Sequence, residues 1–131
     1  MPLRTRQQIA IAIVVVVLAL AATGVTLLST SGDGTAEPDP AVFVAELPPQ
    51  RVATWDDLAD CESGGQWDLA TGNGFEGGLQ FTQASWIEMG GAGSPAAASR
   101  EEQIMRAESL YEDQGWGAWP ACSAQLGLSD S

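Results

Sequence analysis

The chain has 131 residues and a formal net charge of -12, with 17 Asp and Glu against 5 basic residues, and it contains neither His nor Lys. That length holds one domain of ordinary size and excludes two. The acidic balance excludes a nucleic-acid partner, which needs a basic surface to neutralise phosphate. The missing His and Lys remove His-based triads, P-loop lysines and Schiff-base chemistry, leaving carboxylates, hydroxyls and two cysteines.

Residues 9–28 form an uncharged run of 20, preceded by Arg4 and Arg6 and followed by every acidic residue of the chain. Beyond it stand three Arg against 17 acids, a balance of -14. This asymmetry predicts a cytoplasmic N-terminus and an extracytoplasmic remainder. The run matches the length of about 20 residues that spans a bilayer, while Ala19-Leu20-Ala21 offers the small-residue pattern of a cleavage site. Residues 1–28 therefore read as a signal anchor or a signal peptide, giving a membrane-anchored or secreted protein. Residues 29–50, rich in Ser, Thr, Gly and acid and punctuated by Pro38, Pro40, Pro48 and Pro49, read as a disordered linker. The apolar patch at 41–45 inside it reads as a partner contact or as a stretch without a role.

Residues 51–131 hold both cysteines and all five Trp, and form the expected folded domain. Export predicts a disulfide between Cys61 and Cys122, because two cysteines without His cannot close a zinc site. No metal and no cofactor are expected. Thr54 with Asp57 resembles a capping box, and Trp55, Leu58, Ala59 and Glu62 follow at helical spacing, predicting a helix over 55–63 stopped by Gly64-Gly65. The glycine-dense stretch around Asn73-Gly74 and Gly77-Gly78 predicts a short β-hairpin ending near Phe81. A second short helix is expected over 82–89. Ser99 with Glu102 is a cleaner capping box, opening a longer helix whose apolar face is Ile104, Ala107, Leu110 and Tyr111 and which closes at Gly115. The fold class is mainly α with a small β part.

Glu62 is the candidate acid. It extends an apolar stripe at a helix C-terminus, where desolvation and the helix dipole both disfavour the carboxylate. The competing reading is a surface Glu at a frayed helix end. Trp55 and Trp86 sit at core spacing, whereas Trp67, Trp116 and Trp119 lie in Gly-flanked loops where cleft lining and packing are equally open. Gln80, Ser85 and Gln114 stand beside aromatic or glycine-rich segments, as sugar-binding or ordinary surface residues.

Six ordered motifs narrow these choices: Cys61-Glu62-Ser63-Gly64-Gly65-Gln66-Trp67, Thr71-Gly72-Asn73-Gly74-Phe75, Gly77-Gly78-Leu79-Gln80-Phe81-Thr82-Gln83, Ser85-Trp86, Ser99-Arg100-Glu101-Glu102-Gln103-Ile104 and Gly115-Trp116-Gly117-Ala118-Trp119-Pro120-Ala121-Cys122. Together, over about 52–124, they resemble the catalytic domain of resuscitation-promoting factors. The resemblance implies a lysozyme-like fold related to lytic transglycosylases, peptidoglycan cleavage outside the cytoplasm, and a role in resuscitation from dormancy. It implies that Glu62 is the catalytic acid; Ser85 stands where the family usually has a Thr lining the cleft, and Gln114 precedes the Gly-Trp-Gly-Ala-Trp segment as in the family pattern. It also places Glu76 where an aromatic residue is frequent.

Glycoside cleavage usually takes two carboxylates. Asp68 and Glu76 lie near Glu62 in sequence, but neither falls where the resemblance marks a catalytic position. One acid suffices if Glu62 protonates the leaving oxygen and then deprotonates the 6-hydroxyl of the sugar, giving a 1,6-anhydromuramoyl end. Transfer to water would make a muramidase, and a cleft without turnover would make a glycan-binding or signalling module. The expected partners are peptidoglycan strands, the membrane through the N-terminal segment, and a wall peptidase.

Overall fold

The computed structural model describes residues 36–130. The apolar run 9–28 and the start of the expected linker lie outside the described residues. Among the described residues, no helix is long and apolar enough to cross a membrane. Five α-helices follow in order: α1 Pro40–Glu46, α2 Pro49–Ser63, α3 Gln83–Glu88, α4 Arg100–Gln114 and α5 Pro120–Leu126.

The first two helices correct the expected linker, whose second half is folded. Asp39 caps α1, its carboxylate accepting from the backbone N–H of Ala41 at 2.8 Å and of Val42 at 3.4 Å. Pro40 and Pro49 stand at the starts of α1 and α2. Proline is favoured there, because the first helical N–H has no intrahelical acceptor and the ring fixes φ near the helical value. The prolines that suggested broken structure are thus start signals. The patch at 41–45 supplies the reason α1 docks on α4: Val44 is buried, and Phe43 and Leu47 pack against the same core. Arg106 of α4, also buried, bonds the Glu37 carboxylate and the carbonyl of Met89.

Helix α2 begins earlier than the expected start at residue 55, so Thr54 is interior and donates its hydroxyl to the Gln50 carbonyl at 2.9 Å rather than capping. The other end is as expected. Gly64 adopts φ 66°, and its N–H with that of Gly65 closes on the carbonyls of Asp60 and Ala59. Thr82 caps α3 and Ser99 caps α4, each accepting from the N–H three residues on at 3.1 Å. Pro120 opens α5, which carries Cys122 to Cys61 across a Cα separation of 5.8 Å.

No hairpin forms. Glu76 makes two isolated antiparallel bridges, one to Ala70 and one to Phe81. Gly72, Gly74 and Gly77 all have positive φ and Gln80 joins them at 52°, so the chain turns before a second pairing can follow the first. The domain is accordingly mainly helical, with one disulfide and an irregular segment in place of strands.

The core is aromatic. Trp55 meets Trp119 at 5.1 Å and Trp116 at 5.2 Å between ring centroids, and Phe81 meets Trp86 at 5.2 Å. Leu58, Ala59, Leu79, Ile104 and Ala107 fill the space between them with no exposed surface. Arg51 of α2 pairs with Glu108 of α4 at 2.6 Å, and Trp55 Nε1 donates to the same carboxylate at 2.6 Å.

Two measurements check this account. Val44→Ala should lower unfolding stability by about 2 kcal/mol, from lost burial plus a residual cavity, a loss that a floppy linker would not show. Reducing the disulfide should cost up to about 4 kcal/mol, the chain-entropy value for the loop it closes, read as a lower thermal midpoint.

Candidate active site

The last turn of α2 and the first turn of α5 face each other across a cleft of about 220 Å³. Glu62 lines it from α2. Ala118, Trp119, Pro120 and Ala121 line it from the start of α5 and the turn before it, and Phe75 and Gln80 from the glycine-rich segment. The disulfide sits next to both walls, since Cys61 precedes Glu62 and Cys122 follows Ala121.

Glu62 is the only titratable residue among those lining the cleft. It is half-buried, and burial holds its carboxyl above the ordinary value by withdrawing water from the charged form. The position explains why. Glu62 stands one residue from the end of α2, so the negative pole of the helix also lies beside it. The three arginines of the domain are engaged elsewhere: Arg51 by Glu108, Arg100 by Asp56 and Glu101, Arg106 by Glu37 and Glu102. A group so placed can deliver a proton to a leaving oxygen at a pH where an ordinary Glu has lost it.

The expected sugar-binding residues divide. Gln80 and Trp119 reach the cleft with Glu62. Trp119 is buried in the core as well, its Nε1 donating to the Leu79 carbonyl at 2.9 Å, so it both packs and borders the cleft. Trp116 lies in the core, 4.6 Å from Tyr111 and under the Arg51 guanidinium. Trp67 packs against Gly78, where any Cβ would collide with its ring, and the Arg100 guanidinium lies over that ring at 5.6 Å from its centroid. Ser85 shares a 2.8 Å hydrogen bond with Thr82 at the start of α3, and Gln114 is exposed at the end of α4. None of these four lines the cleft. Nor do Asp68, which is exposed, or Glu76, which accepts a hydrogen bond from Ser94.

Phe75 was hidden in the sequence as a turn residue. Asn73 accepts the Phe75 N–H at 3.0 Å, a local side-chain turn that presents a half-exposed ring at the cleft. An aromatic residue flanked by two glycine turns is the signal that could have marked it.

Residues 50–122 match the family described as Transglycosylase-like domain. The chain belongs to this family. The transglycosylase-like segment thus includes Glu62, every other cleft residue and both cysteines. The chain is 51% identical over 108 residues to a resuscitation-promoting factor of Micrococcus luteus, covering 82% of this chain and 45% of that one. It is 43% identical over 120 residues to the Rpf2 factor of Corynebacterium glutamicum, covering 79% and 32%. With the RpfC factor of Mycobacterium tuberculosis it shares 57% over 74 residues, covering 56% and 53%. The chain spans about half or less of the length of these relatives.

The raised Glu62 carboxyl makes a stability prediction independent of any substrate. Between its unfolded and folded values the native state holds the extra proton, so raising the pH through that window costs the wild type stability. Glu62→Gln cannot ionise and escapes this cost. Its thermal midpoint should rise relative to wild type as pH increases through that window and approach it at acid pH. A constant difference between the two proteins would place Glu62 in ordinary solvent.

Proposed function

We propose that this domain cleaves the glycan strands of peptidoglycan as a lytic transglycosylase, with Glu62 as its single catalytic acid. The observation that carries the proposal is the cleft itself, in which one desolvated carboxyl faces Trp119, Phe75 and Gln80 and no second titratable side chain of the described residues joins it. Protonated Glu62 donates to the glycosidic oxygen as the bond to the anomeric carbon breaks. The resulting carboxylate then takes the proton of the sugar's 6-hydroxyl, whose oxygen closes on the anomeric carbon. The intramolecular hydroxyl is already near its target, so its effective concentration replaces a second carboxylate that would orient water. Phe75 and Trp119 offer ring edges and faces to the sugar, and Gln80 offers an amide to its hydroxyl or acetamido groups. Asp68 and Glu76, which do not line the cleft, take no part.

The similarity to resuscitation-promoting factors supports a role in waking dormant cells by loosening the wall. The disulfide and the charge asymmetry around residues 9–28 support an extracytoplasmic location, with that segment as signal or anchor to the membrane. A wall peptidase that cuts peptide stems is the chemical complement of glycan cleavage.

Digestion of purified peptidoglycan by the wild-type domain should yield muropeptides one water lighter than hydrolysis products, without new reducing ends. Glu62→Gln should lower the rate by at least about 10²-fold, the usual worth of a general acid, with the fold intact by circular dichroism. Cleavage of a neutral oligosaccharide should fall as pH rises through the raised Glu62 value. Incorporated water oxygen would make the enzyme a muramidase, and binding without release of fragments would make it a glycan-binding module.

A further inference from the structure

We propose that Gln103 is a positioning residue that sets the edge of the cleft carrying Gln80 and Trp119, an inference that rests on the glycan-cleaving reading for its effect on turnover. Gln103 is fully buried in α4 and does not line the cleft. Its Oε1 accepts the Gly78 N–H at 2.8 Å, while its Nε2 donates to the carbonyls of Trp67 at 2.8 Å and Ala98 at 3.1 Å. One side chain thus ties α4 to both ends of the irregular segment and to the turn before α4. Only a carboxamide supplies an acceptor at one atom and two donors at the next.

The connection to the cleft is short. Gly78 lies between Gly77, whose carbonyl accepts both the backbone N–H of Gln80 at 3.3 Å and its side-chain Nε2 at 2.9 Å, and Leu79, whose carbonyl accepts Trp119 Nε1 at 2.9 Å. The turn has no slack, since a Cβ on Gly77 would collide with Gln103 and one on Gly78 with Trp67. Gln80 itself has φ 52°, a conformation that a residue with a side chain keeps only where its surroundings over-determine it. Gln103 is the group that fixes those surroundings from within the core.

Gln103→Glu and Gln103→Met separate positioning from general structural support. A protonated carboxyl at position 103 keeps an acceptor and one donor, whereas the ionised form has no donor. Relative to wild type at each pH, Gln103→Glu should release fragments from purified peptidoglycan nearly as fast at acid pH. Its kcat/KM should fall about tenfold or more as pH rises, the scale expected for losing a buried hydrogen bond with its partner left unpaired. Gln103→Met should be deficient at every pH. In parallel, exchange of the Trp119 indole proton, read by NMR, should be faster in Gln103→Glu than in wild type at high pH, with the difference closing at low pH. A folded Gln103→Glu whose activity ratio and Trp119 exchange both match wild type across pH overturns the proposal. Should Gln103→Met fail to fold, Gln103→Glu decides. Should the wild type release no fragments, the glycan-cleaving reading fails, and the Trp119 exchange alone supports or overturns the positioning role.

Discussion

The disulfide between Cys61 and Cys122 joins the last turn of α2 to the first turn of α5, and those two turns carry Glu62 on one side of the cleft and Pro120 with Ala121 on the other. A carboxyl kept partly out of water tends to push its walls apart, because ionising it is easier once water enters. In a domain this small the non-covalent margin against such opening is narrow. The covalent tie limits how far the two turns can separate, so the burial that raises Glu62 survives the folded state's own fluctuations. The aromatic cluster behind it, with Trp119 against Trp55 and its indole bonded to Leu79, continues the same restraint into the core.

The charges follow a division of labour that the net value conceals. Each arginine of the domain is spent on fastening helices: Arg51 ties α2 to α4, Arg100 ties α4 back to α2, and Arg106 ties α4 to Glu37 in the segment leading into α1. Arg106 is the costly one. It is buried, its Nε has no partner, and burial lowers its pKa. A buried cation is tolerated when removing its partner would be worse than keeping it, which makes Glu37 and the α1 strap part of the domain rather than an appendage. With these cations committed, no basic group among the described residues lines the cleft to stabilise the Glu62 carboxylate and favour loss of its proton.

Sequence made some of this legible and hid the rest for identifiable reasons. The end of α2 at Gly64, the Ser99 cap and the core roles of Trp55 and Trp86 follow from local rules, and the structure keeps them. Glu62 stood out because burial and a helix end can be read from spacing alone. Helix α1 did not, since Pro and acid at 38–40 look the same in a tether and at a capped helix start until Val44 has a partner to bury it. The expected hairpin misread glycines that end pairing as glycines that turn it. Trp116 and Trp119, alike in their Gly-rich setting, differ only through tertiary contacts, one facing Tyr111 and the other reaching the cleft.

Gln103 shows the limit most clearly, because its neighbours in the sequence are helix residues while its three partners lie five to 36 positions away. Helices supply the cleft with Glu62 and the start of α5, but a helix cannot offer free backbone carbonyls at its middle or turn sharply enough to set a side chain across from its own last residue. The irregular segment does both. It turns on glycines, leaves the carbonyls of Gly77 and Leu79 free for Gln80 and Trp119, and would be too loose to aim either without a fixed point. Conformational freedom at the glycines and a fully satisfied buried amide are therefore two halves of one arrangement. The first allows the backbone to reach the cleft, and the second restricts it to a single shape there.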